Sequence, residues 1–465
     1  MGKIKKRDLD HFIGIGGCGM SAIAKIMMAR GYKVSGSDIK ESGTTIRLRD
    51  EGAKIFIGHD PDHIRHCDQV VVTTAVKEDN PELIFAREAG FPIKRRAEVL
   101  GWLMDKYNSK IAISGTHGKT TTTAMLATVL EFNNLDPTFS VGGDVSAYNM
   151  NAKAGNGRFF VTEADESDGS IIYLSPNALI VTNIEEDHLE YLGNLENIEK
   201  LFWKVIGKIP DGGLLVINVD NASSRKLAEK ARAEKPTLKI KTYGVSADAD
   251  YSIREVALSD YAGKAKIFQG DKYCGDLELG VPGIHNLENA LSVVVMAELL
   301  GLAIPLSVTS LKSFQGTKRR FQLIGEVDGV TIIDDYAHHP SEIKATLAAA
   351  RNGFKRRIVC AFQPHRYTRT MFMAKEFAKS FSDADIAIIT DVYSAGESPI
   401  RGITGKSIVS EMKNATQAIY VSKKEEIIAV ALKHLKPGDI FITMGAGDIY
   451  TVAKEMLMQL KSRKA

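Results

Sequence analysis

The stretch that decides the fold covers residues 110–123 and reads KIAISGTHGKTTTT. An apolar, β-prone run at 111–113 leads into a turn bracketed by Gly115 and Gly118, and a helical pattern follows over 119–132. Glycines between a strand and a helix let backbone N–H groups approach phosphate oxygens, and the helix N-terminus adds partial positive charge. We therefore predict a P-loop that binds a nucleoside triphosphate.

The first helical residues supply the remaining groups that such a loop needs. Lys119 can reach the β and γ phosphates, and Thr120 can ligate Mg²⁺. The usual motif has a glycine five positions before Gly118, where this chain has Ile113, so the turn differs from that of most P-loop ATPases. An ordinary strand-to-helix turn is the alternative, but the strand and helix contexts favour the P-loop.

Length and composition limit the possible classes of protein. At 465 residues the chain suggests two to four domains, and 44% hydrophobic with 25% charged residues is typical of a globular protein. The net charge of +3 does not favour nucleic-acid binding. We find no apolar run of 18 residues, no signal peptide and no CxxC pair, and therefore expect a cytoplasmic protein without disulfides that does not bind membranes.

Residues 9–38 predict a βαβ unit that binds a diphosphate. Gly14, Gly16 and Gly19 satisfy GxGxxG, and Asp38 lies 19 residues beyond at the end of the second predicted strand. In this arrangement the glycines admit a diphosphate to the helix N-terminus and the acid accepts a ribose hydroxyl. The motif indicates a diphosphate but does not by itself indicate NAD.

A group of potential metal ligands follows in the sequence GHDPDHIRHC. It contains His59, His63, His66 and Cys67. No closed four-ligand zinc spacing and no carboxylate shell is evident. We therefore expect these histidines to be solvated or bonded to backbone groups.

Two strands in the middle of the chain end in acids and a histidine. The first, within 159–170, passes through Glu163, and the second, within 178–193, ends near His188. Such strand ends face the ligand crevice of a doubly wound sheet, so both residues are predicted to hold magnesium beside the phosphates. At least half of the flanking acids are expected to be solvated: Asp165, Glu166, Glu185 and Glu186.

Further along, residues 248–280 predict a small antiparallel addition, and 281–302 predict a turn followed by a helix. Asn286 and Asn289 then lie in the first turns of that helix, beside His285. The asparagines could bind a purine edge or could simply cap the helix, and the sequence leaves both open.

A last Rossmann-like α/β domain is predicted from about Phe314. Its strands are expected at 329–336, 356–362, 385–390, 417–421 and 439–445. Polar side chains collect after the first two strands, where active-site groups are expected: Asp334, Asp335, His338, His339, Gln363, His365, Arg366 and Arg369. Arg319 and Arg320 precede the first strand, near an inferred hinge.

Taken together and in order, these motifs resemble the ATP-dependent Mur ligases of peptidoglycan precursor synthesis. The resemblance covers nearly the whole chain and rests on these stretches: 14–20 (GIGGCGM), 114–125 (SGTHGKTTTTAM), 163–168 (EADESD), 182–189 (TNIEEDHL), 283–290 (GIHNLENA), 318–321 (KRRF), 334–340 (DDYAHHP) and 364–370 (PHRYTRT). It accounts for the shortened P-loop, and it implies that the first glycine motif receives the diphosphate of a UDP-sugar.

The resemblance implies an α/β fold with three domains: a Rossmann-like UDP-sugar domain (1–108), a central P-loop domain (109–316) and a Rossmann-like amino-acid domain (317–465). It also implies site residues for each ligand. For the UDP-sugar they are Gly14, Gly16, Gly17, Gly19, Met20 and Asp38. For ATP they are Gly115, Thr116, His117, Gly118, Lys119, Thr120, Thr121, Asn286, Asn289, Arg320 and Asp335. For magnesium they are Thr120, Glu163 and His188, and for the amino-acid carboxylate His365, Arg366 and Arg369.

The implied chemistry is carboxylate activation followed by amide formation. ATP phosphorylates the lactyl carboxylate of UDP-N-acetylmuramate, and the amine of L-alanine attacks the acyl phosphate. Lys119, His188, His338 and Arg366 are the implied catalytic residues. The expected cofactors are ATP and Mg²⁺, and the expected state is a monomer or weak homodimer.

Two other functions remain open at this point. A recycling ligase that attaches a ready-made peptide to UDP-N-acetylmuramate shares a stretch like that at 334–340, although PHRYTRT favours a free amino acid. An NAD-dependent oxidoreductase would rest on GxGxxG and Asp38 alone, and it would leave the P-loop, Glu163 and His188 without a role.

Overall fold

The computed structural model describes residues 9–167, 169–187, 192–413 and 416–464. Two compact units make up the chain: residues 1–250 with 292–310, and residues 251–291 with 311–465. Among the helices in the described ranges, none combines the length and apolar character needed to span a membrane. All four cysteines are free thiols, as predicted.

The first unit begins with a parallel sheet of five strands. These are β1 (Asp10–Ile13), β2 (Val34–Asp38), β3 (Lys54–Ile57), β4 (Gln69–Val72) and β5 (Ile93–Arg95). They pair in the order β3-β2-β1-β4-β5. The order reverses direction between β1 and β4, and ligands of doubly wound sheets bind at such a switch point, beyond the carboxyl ends of the strands.

The same unit contains a second, larger group of paired strands. These are β6 (Ser109–Ser114), β7 (Thr138–Val145), β8 (Met150–Lys153), β9 (Phe159–Glu163), β10 (Ala178–Val181), β11 (Leu214–Asn218) and β12 (Lys239–Gly244). They pair in the order β12-β11-β10-β6-β9-β7-β8, and only the β7–β8 pair is antiparallel. The P-loop strand β6 therefore lies between β9 and β10, the two strands that end in acids.

The two sheets of the first unit share apolar and polar contacts. Phe12 and Met20 from the N-terminal part belong to the same buried apolar cluster as Phe160 and Leu179 of the central part. Polar contacts include Asn151, whose Nδ2 lies 2.9 Å from the backbone oxygen of Cys18. The glycine motif is therefore anchored to the sheet that carries the P-loop.

The second unit contains an antiparallel sheet and a mostly parallel one. The antiparallel strands are β13 (Tyr251–Ser259), β14 (Ala262–Gln269) and β15 (Lys272–Leu279). The other strands are β16 (Gln322–Val327), β17 (Val330–Asp335), β18 (Ile358–Phe362), β19 (Ile386–Thr390), β20 (Gln417–Val421) and β21 (Ile440–Met444). Their order is β16-β17-β21-β18-β19-β20, with only β16 antiparallel.

Helices connect most of the parallel strands, as crossover connections require. In chain order, the α-helices that the structure describes are Cys18–Ala29, Gly43–Asp50, Pro81–Glu88, Arg96–Met104, Lys119–Phe132, Leu195–Ile206, Ala222–Glu234, Ile284–Leu299, Ile304–Lys312, Pro340–Phe354, Tyr367–Ala378, Gly405–Glu411, Ile427–His434 and Tyr450–Lys464. The 3₁₀ turns are Pro61–Ile64, Ser170–Tyr173, Lys379–Phe381 and Lys424–Glu426.

Two histidines of the sequence GHDPDHIRHC, His59 and His63, contact a buried carboxylate, whereas His66 is exposed. Glu82 is fully buried, and its carboxylate lies 2.7 Å from Nδ1 of His63, 3.0 Å from Nδ1 of His59 and 2.5 Å from the hydroxyl of Ser37. Nε2 of the buried His11 lies 3.7 Å away. The sequence expectation for His59 and His63 was therefore wrong, because their partner lies on a helix about 20 residues further along.

This cluster predicts an acid-sensitive contribution to stability. Burial by itself raises the pKa of Glu82, but His11, Ser37 and His63 outweigh it and lower the pKa from 4.5 to about 2. Ionised Glu82 therefore stabilises the fold above pH 4.5 by about 3 kcal/mol, and this is lost as the pH falls from 4.5 towards 2. We expect Glu82→Gln to lower the free energy of unfolding by that amount at pH 7, measured by urea denaturation.

The control for this prediction is Glu78→Gln, because Glu78 forms an exposed ion pair with Arg87 in the same segment. Exposed pairs contribute little, so this variant should unfold like the parent chain. The difference between Glu82→Gln and the parent should shrink at pH 3.5. An equal difference at both pH values would show that the Glu82 charge does not stabilise the fold.

Candidate active site

The P-loop has the strand–turn–helix geometry that the sequence predicted. β6 ends at Ser114, and the helix Lys119–Phe132 begins directly after Gly118, whose φ is +83°. At Gly115, where φ is +137°, a Cβ atom would lie only 2.0 Å from Oγ1 of Thr182. Both glycines are therefore required by the backbone of the turn.

The loop that follows β10 braces the P-loop from one side. Thr116 donates its backbone N–H to the carbonyl of Asn183 over 3.0 Å, and His117 donates to Oδ1 of Asn183 over 2.9 Å. Nε2 of His117 lies 3.4 Å from the carboxylate of Glu185. The backbone of the turn is therefore fixed before any ligand arrives.

Lys119 points back into its own loop. Its Nζ lies 2.6 Å from the carbonyl of Gly115, 3.1 Å from that of Thr116 and 3.0 Å from both carboxylate oxygens of Glu166. Burial lowers the pKa of Lys119, but the charges of Glu166 and Asp165 outweigh it and raise the pKa above its ordinary value. Lys119 is thus a cation over the whole working range of pH.

Thr120, in the first turn of the helix Lys119–Phe132, lies close to Glu163, the last residue of β9. The hydroxyl of Thr120 lies 3.2 Å from Oε2 of Glu163, and the backbone N–H of Gly142 donates to Oε1. Burial raises the pKa of Glu163. Two oxygen ligands beside a phosphate loop suit a hard divalent cation. Thr121 follows in the first helical turn and is largely buried, whereas His188 lies outside the described residues.

The N-terminal glycine motif forms a tight turn after β1. Gly14, with φ at +79°, and Ile15 donate their backbone N–H groups to the carbonyl of Ser37 over 2.8 and 3.0 Å. Gly16 donates to Oδ2 of Asp38 over 2.9 Å. Asp38 therefore lies at the end of β2 as predicted, and its carboxylate also orders the glycine turn.

The remaining residues of the motif, Gly17, Gly19 and Met20, have different surroundings. Gly17 precedes the helix Cys18–Ala29 as its N-cap. A Cβ atom on Gly19 would lie 3.0 Å from Nη1 of Arg96, so this arginine packs against the turn. Met20 is only 2% exposed and lies in the apolar core, so its side chain is not available to a ligand.

In the second unit, Arg320 is part of a cluster beside the helix Ile284–Leu299. Its Nη1 lies 3.6 Å from Oε1 of Glu342, and its guanidinium lies over the ring of Tyr336. Burial, followed by the charge of Arg320, lowers the pKa of His285 to about 4. Asn286 and Asn289 are buried, and Asn286 Nδ2 donates to the carbonyl of Pro282.

Asp335 orders the chain around Arg320. Its carboxylate accepts backbone N–H groups from Phe321 over 2.6 Å and from Ala337 over 2.7 Å. Burial raises the pKa of Asp335 to about 6. Arg319 and Phe321 have φ values of +61° and +49°, so this carboxylate holds an otherwise unfavourable turn.

The residues that were predicted to bind the amino-acid substrate lie close together at the end of β18. The rings of His338 and His365 are 5.8 Å apart, and His365 stacks on Tyr393. Arg366 lies just before the helix Tyr367–Ala378, and Arg369 lies in its first turn, 5% exposed. Burial, together with His338 and the arginines, lowers the pKa of His365 to about 3, so its ring is neutral at neutral pH.

Sequence reasoning missed three residues of these sites. Arg96 beside Gly19 follows a strand of only three residues, which has no clear sequence pattern. Glu166 was one of four loop acids of which at least half were expected to be solvated, and the sequence did not single it out. Glu397 accepts hydrogen bonds from the backbone N–H and hydroxyl of Thr368 and lies 3.8 Å from Arg366. The sequence gives little indication of Glu397, which is a single glutamate among small residues in the loop SAGES at 394–398.

Fold and site together define an α/β enzyme that binds nucleotide phosphates. Three family models match in order: the Mur ligase family catalytic domain at residues 10–108, the Mur ligase middle domain at 113–297 and the Mur ligase glutamate ligase domain at 319–447. The chain therefore belongs to the Mur ligase family, and it is an ATP-dependent ligase that forms amide bonds.

Individual relatives resemble the chain over its full length. It is 46% identical over 463 residues to the UDP-N-acetylmuramate–L-alanine ligase of Pelotomaculum thermopropionicum, covering 99% of both chains. The crystal structure of the UDP-N-acetylmuramate-alanine ligase of Thermotoga maritima superposes with a TM-score of 0.84 at 33% identity, covering 98% of this chain and 100% of that one. A murein peptide ligase from Psychrobacter arcticus shares the fold, with a TM-score of 0.73 at 24% identity, covering 97% and 98%.

Proposed function

We propose that this enzyme joins L-alanine to the lactyl carboxylate of UDP-N-acetylmuramate, with ATP cleaved to ADP and phosphate, in peptidoglycan precursor synthesis. The observation that carries the proposal is the 46% identity, over 99% of both chains, to a UDP-N-acetylmuramate–L-alanine ligase. The same three domains in the same order support it. The recycling ligase is disfavoured because the murein peptide ligase from Psychrobacter arcticus is only 24% identical to this chain.

The glycine turn after β1 is the proposed site for the diphosphate of the UDP-sugar. Gly14, Gly16, Gly17 and Gly19 leave room for the phosphates at the N-terminus of the helix Cys18–Ala29, whose dipole attracts anions. Arg96 lies against this turn and would supply a full positive charge. We propose that this domain covers residues 1–108.

The P-loop is the proposed site for the triphosphate and one Mg²⁺. The donor set fits the metal, because Thr120 and Glu163 place two oxygen atoms 3.2 Å apart beside the loop. Bound there, Mg²⁺ would neutralise charge on the phosphates. His188 is proposed as a further ligand. Gly115, Thr116, His117, Gly118 and Thr121 would surround the phosphates, and Asn286, Asn289, Arg320 and Asp335 would contact the rest of the nucleotide.

The protein's own groups would align two anions and a neutral amine. Lys119 would neutralise the γ-phosphoryl group as it passes to the lactyl carboxylate, which requires charge stabilisation more than a protein nucleophile. Arg366 and Arg369 would hold the carboxylate of L-alanine, and His338 and His365 lie beside them. The amine would then attack the acyl phosphate, and the tetrahedral intermediate would collapse to amide and phosphate.

A phosphate-release assay tests the proposed reaction directly. ADP, phosphate and the amide should form together, and only when both UDP-N-acetylmuramate and L-alanine are present, because phosphate leaves the acyl phosphate when the amine attacks. Release of phosphate with UDP-N-acetylmuramate and a muramyl-type tripeptide, but not with UDP-N-acetylmuramate and L-alanine, would instead identify a recycling ligase. NADH production without ATP use would contradict both.

We propose a cytoplasmic location and a monomer or weak homodimer.

Substitution of Glu163 tests the proposed metal site. Glu163→Gln removes the charge that faces Thr120 but keeps the shape of the side chain. We expect about 10- to 100-fold more Mg²⁺ to be needed for half-maximal activity, because carboxylate oxygens bind Mg²⁺ far better than amide oxygens. Glu131→Gln, at the end of the helix Lys119–Phe132 that is far from Thr120, should leave the Mg²⁺ titration unchanged. Lost activity with an unchanged titration would remove Glu163 from the metal site.

A further inference from the structure

The hydrogen-bonding capacity of Lys119 is fully used in the nucleotide-free enzyme. An ammonium group has three N–H donors, and the structure offers the Gly115 carbonyl, the Thr116 carbonyl and the bidentate carboxylate of Glu166 as acceptors. A phosphate can bind Lys119 only if one of these acceptors gives way. The two carbonyls belong to the braced backbone of the turn, so Glu166 is the acceptor that can move.

Glu166 differs from Glu163 in what it faces. Glu163 lies beside Thr120, where a metal would bind, whereas both oxygens of Glu166 are directed at Lys119. The side chain of Glu166 is 3% exposed and that of Lys119 is 14% exposed. Burial of either charge alone would be costly, so each stabilises the other while no nucleotide is bound.

We propose that Glu166 is a positioning residue that holds the ammonium group of Lys119 inside the P-loop until nucleotide phosphates replace its carboxylate. The inference rests on the proposed role of Lys119 in binding the triphosphate. In this arrangement Glu166 is an internal anion that competes with the nucleotide. It keeps the lysine oriented, and it lowers the affinity for ADP, which favours product release.

Glu166→Gln separates the charge of this residue from its shape. The amide oxygen can still accept a hydrogen bond from Lys119, but the negative charge is lost. Nucleotide phosphates then meet no competing anion, so we expect the dissociation constant of ADP to fall about tenfold. The amine of Lys119 should also be held less firmly inside the loop, because a neutral amide replaces the carboxylate that both oxygens of Glu166 present to it. A less firmly held amine is more accessible to an acetylating reagent, so acetylation of Lys119 should be faster.

The full-length enzyme offers a matched control on the same helix. Glu131, at the end of the helix far from the P-loop, forms a second bidentate pair with Lys153 of β8, with contacts of 2.7 and 2.8 Å, and Lys153 also pairs with Asp136 over 2.8 Å. Trace acetylation of lysines, followed by mass spectrometry of the Lys119 and Lys153 peptides, reports on both pairs in one sample. Glu166→Gln should speed labelling of Lys119 and leave that of Lys153 unchanged, whereas Glu131→Gln should leave labelling of Lys119 unchanged.

Binding of ADP is measured on the same variants by calorimetry, once with excess EDTA and once with Mg²⁺. The proposal expects tighter binding by Glu166→Gln in both solutions, together with faster labelling of Lys119. Weaker binding that occurs only with Mg²⁺ would make Glu166 a metal ligand and overturn it. Unchanged binding and labelling would also overturn it. Glu166→Asp, which keeps the charge but shortens its reach, should speed labelling less than Glu166→Gln and provides the same test if the amide variant does not fold.

A protection experiment separates this inference from the proposed function. ADP should protect Lys119 of the parent enzyme from acetylation and should leave Lys153 unprotected. Absence of protection would contradict the P-loop assignment itself. Protection in the parent without any effect of Glu166→Gln would contradict only the role of Glu166.

Discussion

Lys119→Ala is expected to abolish ligation, with kcat/KM for ATP falling by about 10³-fold or more. The side chain is the P-loop cation whose Nζ lies within 3.1 Å of two loop carbonyls. Charge that develops on the transferred phosphoryl group would lose its preorganised partner, and the loss of one such donor costs about 10² to 10³ in rate. Removal of the cation also leaves the buried carboxylate of Glu166 unpaired, which adds to the loss.

Binding of UDP-N-acetylmuramate should survive this substitution nearly intact. The proposed diphosphate site lies in the turn that follows β1, whereas Lys119 follows β6 in a different sheet. Calorimetric titration of the variant with the UDP-sugar, beside an ADP and phosphate-release assay, measures both properties. Lys153→Ala is the control, since Lys153 also pairs with a glutamate but lies away from the loop. Near-normal turnover by Lys119→Ala would refute the P-loop assignment.

The P-loop could be predicted closely from the sequence because its determinants are local. The predicted helix at 119–132 matches the observed bounds, since the positive φ of Gly118 fixes its start. Apolar runs likewise predicted β9, β10 and the five parallel strands of the second unit, because strands buried on both faces are almost continuously apolar. The antiparallel strands within 248–280 were also confirmed. They were predicted from short runs in which apolar and polar residues alternate.

Contacts between distant parts of the chain could not be predicted in this way. Glu82 and Glu166 look like solvated acids in the sequence, yet each is buried against a partner 19 to 71 residues away. The strands β7, β8 and β16 were also missed, because partly exposed strands have weaker apolar patterns. Local patterns therefore locate strands and turns, whereas the partner of a buried charge depends on the order of strands in the sheet.

The proposed amino-acid site yields the second large expected effect. Arg369→Ala should raise the KM for L-alanine strongly, with a loss of about 2 to 5 kcal/mol, the range for breaking a buried, hydrogen-bonded charge pair. Arg369 is 5% exposed in the first turn of its helix, where the dipole adds to the attraction for a carboxylate. A guanidinium also binds carboxylates through two parallel hydrogen bonds.

Affinity for ATP and for UDP-N-acetylmuramate should change little in this variant. Lys375→Ala, an exposed lysine on the same helix, is the control and should keep the parent KM for L-alanine. Glycine should be a poorer substrate than L-alanine by only ~10- to 200-fold, because one missing methyl group contributes little binding energy.

Competition between amino donors then distinguishes the alanine ligase from the recycling ligase. L-alanine, glycine, L-serine and a muramyl-type tripeptide are offered together to the parent enzyme and to Arg369→Ala, and the amide products are counted by mass spectrometry. A free amino acid places its carboxylate next to its amine, so the arginines can hold the first while the second attacks. The terminal carboxylate of a tripeptide lies several bonds further away and would not reach the same guanidinium groups. Preferential use of the tripeptide, or an unchanged KM for L-alanine in Arg369→Ala, would therefore refute the alanine-ligase assignment.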